Sequence, residues 1–220
     1  MSLSLERRGR LVELAHRHGF LVVEDVAYRE LGFEDDPAAS LWSLAPEAVV
    51  QVGTTSKTFF PGVRLGWAVG PAAVSAQLVS AKQNTDQCAA PLAQRLFEEY
   101  VRRGWIEEQL VQSRALYRRK CERMLAALER YMPSGTRWTR PEGGFFSWLT
   151  LPQGGDAVDL ARRAVERGVG VVPGLPFHPD DRGRDNVRLS FSMVDEAQID
   201  EGIRRLSLVL KSLQSPWETT

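Results

Sequence analysis

Apolar positions along the chain change period several times, and each change marks an element. Leu5, Leu11, Val12, Leu14 and Ala15 fall at helical spacing across residues 4–18, and Gly19 follows as a stop signal. Directly after it, "FLVVEDVAY" is a short β-rich run that ends in acids. A helix, a glycine turn and an almost wholly apolar strand predict an αβ unit of a sheet covered on both faces. Residues 34–46, with Asp35-Asp36-Pro37 and Pro46, read as a loop. "AVVQVGT" then predicts a second buried strand, and "RLGWAVG" a third after the Pro61-Gly62 turn.

From Pro71 the period becomes helical, over residues 72–83, 91–103 and a long stretch from Ile106 to Tyr131. The basic run Arg114 to Arg123 on that last stretch reads as a solvated helix face with i,i+4 partners. Beyond it strand and helix alternate: "GGFFSWLTL", a helix over residues 156–167, "GVGVVPG", "NVRLSFS", and a final helix from Asp195 to about Leu213, with Asp195 as its N-cap. The pattern predicts an α/β part over residues 1–105, then a bridging helix and a small α+β domain over 106–215.

Charge narrows the partners. Lys and Arg number 28 against 28 Asp and Glu, and this balance gives no electrostatic argument for nucleic acid or an anionic membrane. Cys88 and Cys121 stand far apart without metal-ligand spacing, which fits a reducing compartment and predicts neither a disulfide nor a metal site. Glu6, Arg7, Arg8 and Arg10 interrupt any apolar leader, and no apolar run approaches the roughly 20 residues that span a bilayer. A cytoplasmic protein is expected.

The stretch "VGTTSKTFFPGVRLGW" carries the chemistry. Lys57 follows a strand end, where irregular backbone at the carboxyl edge of a sheet commonly forms a ligand crevice. Thr54, Thr55 and Ser56 add hydroxyls, Gly53 lets the backbone turn, and Arg64 lies seven residues on, so the segment suits an anion such as a phosphate. The spacing does not match a nucleotide-binding P-loop. The other common partnership is a lysine that forms a Schiff base with a phosphorylated aldehyde, pyridoxal phosphate. That chemistry needs a desolvated amine, a phosphate cup and a carboxylate for the pyridinium nitrogen. Asp25 ends the preceding strand and supplies the carboxylate; of Glu24 and Asp25, alternation turns only one towards the crevice. Tyr28 could donate to the ring's 3' oxygen, and the Phe59-Phe60-Pro61 segment would help keep Lys57 out of water.

The segments "LVVEDVAYRELGF", "GTTSKTFFPGVRLGWAVGP", "RPEGGFFSWLTLP" and "NVRLSFS" resemble the class I/II aminotransferases of pyridoxal phosphate (PLP) fold type I. The subgroup resembled holds 2-aminoadipate and kynurenine aminotransferases and the effector domains of MocR-type regulators. The resemblance implies the C-terminal part of the fold type I large domain, a three-layer α/β/α sheet, followed by a small α+β domain. It implies Lys57 as the Schiff-base lysine and proton carrier, Asp25 on the pyridinium, and Tyr28 on the 3' oxygen. Thr54, Ser56 and Arg64 would hold the phosphate, and Arg188 of "NVRLSFS" the substrate α-carboxylate, whereas without the resemblance an arginine in a half-buried strand is more often paired with a nearby acid such as Asp185. It further implies an α-amino acid and a 2-oxo acid as substrates, 2-oxoglutarate as acceptor, and a homodimer. A MocR-type ligand sensor and a non-catalytic remnant are the alternatives.

The family's N-terminal segment, with an Asn-Pro-x-Gly turn that binds the cofactor, has no counterpart in the sequence. The chain is therefore expected to be impaired alone and to expose apolar strand edges and faces.

Overall fold

The computed structural model describes residues 3–34, 39–180 and 182–214. The Asp35-Asp36-Pro37 loop lies outside the described residues. The chain forms two compact units, Met1–Arg114 and Ala115–Thr220.

In the first unit, α1 (Leu5–His18) starts where the Ser4 hydroxyl accepts from Arg7 N–H and stops at Gly19, whose φ of 66° lets its N–H cap the Ala15 carbonyl. It leads into β1 (Val22–Asp25), a short helix α2 (Leu41–Leu44), β2 (Val49–Thr54) and β3 (Gly66–Val69). The sheet order is β1-β2-β3, with β1 and β2 parallel and β3 antiparallel to β2. Ala15, Leu41, Ala45, Ala48 and Val49 form a buried cluster, with Leu11, Val12, Val22 and Trp42 packed against it. One sheet face is thus covered by α1 and α2. Cover on both faces is met only at β2, where Val49 and Val50 are both buried; on the second face Val23 of β1 is 68% exposed, and on β3 Gly66, Trp67 and Ala68 are exposed. No element among the described residues lies over Val23, and apolar strand surface is left bare as expected.

Three helices follow, α3 (Ala72–Thr85), α4 (Pro91–Arg102) and α5 (Trp105–Tyr131), and the division between the units falls inside α5. None of these, nor any other helix among the described residues, is long and apolar enough to cross a membrane. The basic run of α5 does not rely on i,i+4 partners as expected. Arg114 donates to the Glu30 carbonyl, Arg119 and Arg123 pair with Glu196 and Asp200, and Lys120 donates to the Ser192 carbonyl. These cations join segments distant in sequence.

The second unit holds β4 (Arg137–Trp138), β5 (Phe146–Thr150), α6 (Ala157–Glu166), β6 (Val172–Pro173), β7 (Asn186–Ser190) and α7 (Glu196–Gln214). Its antiparallel sheet runs β4-β5-β7-β6. Alternation divides β5 and β7 cleanly: Ser147, Leu149, Val187 and Leu189 are buried, whereas Phe146, Trp148, Thr150, Asn186 and Arg188 are half-buried on the other face. Asp195 caps α7 as expected, accepting from Gln198 N–H while the Gln198 side chain accepts from Asp195 N–H. Sequence pattern missed α2 and β4, which are too short to show a period.

Candidate functional site

Parallel pairing of β1 and β2 brings both carboxyl ends to one sheet edge. Asp25 stands beside Val52, so Thr54 and the segment after it emerge at the edge that Asp25 ends, and β3 returns there with Gly66 opposite Thr54.

Alternation assigns the two acids different surroundings. Glu24 turns to the covered face, where it accepts from Leu41 N–H (2.9 Å), Trp42 N–H (3.2 Å) and Gln51 Nε2 (2.8 Å), and pairs with Arg8 (3.2 Å). Burial alone would raise its carboxyl pKa, but the hydrogen bonds from Leu41, Gln51 and Trp42 and the Arg8 charge outweigh burial and hold it below the usual value. Asp25 is exposed on the opposite face, and among the described residues its side chain makes one hydrogen bond, in which Oδ1 accepts from Ala27 N–H at 2.9 Å. That leaves carboxylate capacity open for a partner.

The segment after β2 is tightly tied. Thr55 N–H and Oγ1 both donate to the Leu65 carbonyl at 3.0 Å, and Phe59 N–H donates back to Thr55 O at 2.8 Å. Thr54 and Ser56 meet directly: Ser56 N–H donates to Thr54 Oγ1 (3.1 Å), and the two hydroxyls lie 3.0 Å apart. Gly53 is required because a Cβ there would overlap the Trp67 indole opposite it.

Lys57 is exposed at this edge, and its Nζ lies over the Tyr28 ring, 5.7 Å from the centroid. The expected Phe59-Phe60-Pro61 shield is absent from this chain. Phe60 is 59% exposed, and Phe59 turns away to pack against Phe97 (5.4 Å) and Tyr100 (4.8 Å) of α4. The phenylalanine is an anchor, drawn off because α4 offers it two rings. A second anchor, unseen in the sequence, is Gln109 of α5: it donates to Thr58 O at 2.9 Å while accepting from Tyr100 Oη at 2.6 Å. A polar residue 51 positions along the chain leaves no local signal.

Arg64 adopts the left-handed conformation, φ 52° and ψ 42°, rare for a residue with a side chain. Its exposed guanidinium donates to Pro61 O at 3.3 Å.

In the second unit Arg188 sits at the centre of β7, beside Trp148 of β5 and Val172 of β6. No ion pair joins it to Asp185; its guanidinium lies over the Phe146 ring, 4.3 Å from the centroid, and over the Phe177 ring at 4.7 Å. Phe146 was legible only as part of the predicted strand "GGFFSWLTL"; its place on the face of Arg188 comes from the β5–β7 register. Phe177 was not, because it comes from a turn.

The first unit therefore presents a lysine, a carboxylate, a phenol and paired hydroxyls at one sheet edge. Solved structures place the fold among the aminotransferases of PLP fold type I. The alpha-aminoadipate aminotransferase of Thermus thermophilus, solved with N-(5'-phosphopyridoxyl)-L-leucine, superposes with a TM-score of 0.92 at 41% identity, over 96% of this chain and 55% of that one. The model of the aminotransferase class I and II family matches residues 2–206, and the chain belongs to that family. Among curated relatives, the 2-aminoadipate transaminase of Thermus thermophilus is 42% identical over 213 residues, 95% of this chain and 53% of that protein. The HTH-type transcriptional regulator TauR of Rhodobacter capsulatus is 34% identical over 215 residues, 96% of this chain and 44% of that protein. The chain spans about half the length of the curated relatives it matches.

Proposed function

We propose that the chain supplies the lysine-bearing half of an aminotransferase site that moves an amino group between an α-amino acid and a 2-oxo acid, with pyridoxal phosphate as cofactor and 2-oxoglutarate as acceptor. The observation that carries this is the edge shared by Asp25, Tyr28 and the Thr54–Lys57 segment, with Lys57 Nζ over the Tyr28 ring. When bound, the cofactor supplies an electron sink for the bond broken at Cα.

The chain's own groups have distinct tasks. Lys57 would hold the cofactor through its amine and, once released, carry the proton at Cα. Asp25 would keep the pyridinium nitrogen protonated by its charge, and Tyr28 would donate to the 3' oxygen. Thr54 and Ser56 hydroxyls and Arg64 would hold the phosphate, and Arg188 the α-carboxylate through paired N–H donors. A homodimer that completes each site is part of this proposal.

The decisive experiment adds pyridoxal phosphate to the purified chain and follows visible absorbance, then reduces with borohydride and maps the label by mass. A band whose reduced label sits on Lys57 is expected. A label on another lysine, or no band, would overturn the assignment for this chain.

A second reading, a ligand-sensing domain of a transcription regulator, is favoured by the 34% identity to TauR over 96% of the chain. Incubation of the cofactor-loaded protein with L-2-aminoadipate and 2-oxoglutarate separates the two: glutamate accumulates with an enzyme, whereas a sensor binds without turnover.

A further inference from the structure

Arg188 shares its sheet face with Phe146 and Trp148, and among the described residues its guanidinium enters no ion pair or hydrogen bond. Its Cζ lies over both phenylalanine rings, at 4.3 and 4.7 Å from their centroids, a cation–π contact that spends no N–H donor on a protein acceptor. Those donors lie in the guanidinium plane, in the fork that matches a carboxylate.

Phe177 reaches Arg188 from a turn that is rigidly built. Gly174 N–H donates to Asn186 O at 2.6 Å, Phe177 N–H to Gly174 O at 3.0 Å, and Asn186 N–H to Gly183 O at 3.1 Å. Gly183 has a φ of 87°, and a Cβ there would overlap the His178 ring. A Cβ on Gly174 would lie 2.6 Å from that of Asn186. The rings then form a series: His178 tilts against Trp148 (6.2 Å), and Trp148 meets Phe177 edge-on (5.5 Å). Yet Phe177 remains 46% exposed. A ring held so carefully and buried so little contributes more to the placement of its neighbour than to the core.

We infer that Phe177 is a positioning residue which, with Phe146, fixes the Arg188 guanidinium so that its N–H edge faces a substrate carboxylate. The inference rests on the carboxylate role proposed above for Arg188.

The test uses the full chain with isotope-labelled arginine, the Arg188 side-chain resonance being assigned by its loss in Arg188→Lys. In the wild type that resonance is displaced by ring currents and responds saturably to 2-oxoglutarate. Phe177→Leu removes the displacement and weakens 2-oxoglutarate about five- to tenfold, while Phe177→Trp, which restores a π face, recovers most of the affinity. Gly183→Ala, which displaces His178, shifts the affinity in the same direction. Should Phe177→Leu fail to fold, Phe177→Met keeps apolar bulk without a ring and replaces it. A folded Leu or Met variant that titrates like the wild type overturns the positioning role and leaves the role of Arg188 standing. A wild-type Arg188 resonance silent to 2-oxoglutarate overturns the role of Arg188, and the positioning role with it.

Discussion

Gln51 stands directly beside Glu24 across the parallel β1–β2 pair, and its side-chain amide donates to Glu24 Oε2 at 2.8 Å. Through that carboxylate, β1, β2, α2 and the Arg8 side chain of α1 meet at one buried point. Removing the carboxylate leaves the Arg8 guanidinium, only 12% exposed, with the Leu3 carbonyl alone, and takes the acceptor from two backbone N–H groups. Glu24→Ala is expected to cost about 3 kcal/mol, read from the urea midpoint, because the Leu41 and Trp42 N–H groups and the Gln51 amide lose this acceptor and Arg8 its counter-charge.

The same carboxylate sets a pH dependence. Its folded pKa lies below the 4.5 of the free side chain, so its stabilisation is complete above that value and is lost as pH falls through the lowered folded value. The stability gap between wild type and Glu24→Gln should therefore be widest near neutral pH and shrink steadily below pH 4.5. A gap that widens in acid would refute this.

Thiol chemistry should separate the two cysteines. Cys88 is exposed, whereas burial, aided by the Glu122 charge, pushes the Cys121 thiol up to about 11. A chromogenic disulfide at pH 8 is expected to titrate one thiol promptly and the second only after denaturant is added.

Gln109 fixes the backbone next to Lys57 through Thr58 O. Gln109→Ala should cost about 1 kcal/mol and speed hydrogen exchange at the Thr58 and Phe59 amides, which close onto Thr55 O. Exchange at Leu149 and Val187, in the other unit's core, should not change.

What the sequence disclosed and what it hid follow from distance along the chain. Gly19 as a stop, Asp195 as a cap and the alternation through "NVRLSFS" are local signals, fixed by backbone geometry within a few residues. The edge holding Asp25 and Lys57 was legible because two apolar runs end in chemistry-bearing residues. The anchoring role of Phe59 was hidden, since it depends on Phe97 and Tyr100 of a helix some forty positions away. Phe177 escaped for a similar reason: a turn has no period, and only tertiary folding sets its ring against Arg188.

Arg64 occupies a backbone state that favours glycine, a conformation costing on the order of 1 kcal/mol for a residue with a side chain. Arg64→Gly should therefore raise the melting temperature while weakening any phosphate held at the edge. Selection that preferred durability alone would have settled on glycine there. On the phosphate role proposed for Arg64, an arginine kept against the preference of its own backbone is a position where binding outranks stability, and the opposite signs of the two effects make that ranking measurable in a single variant.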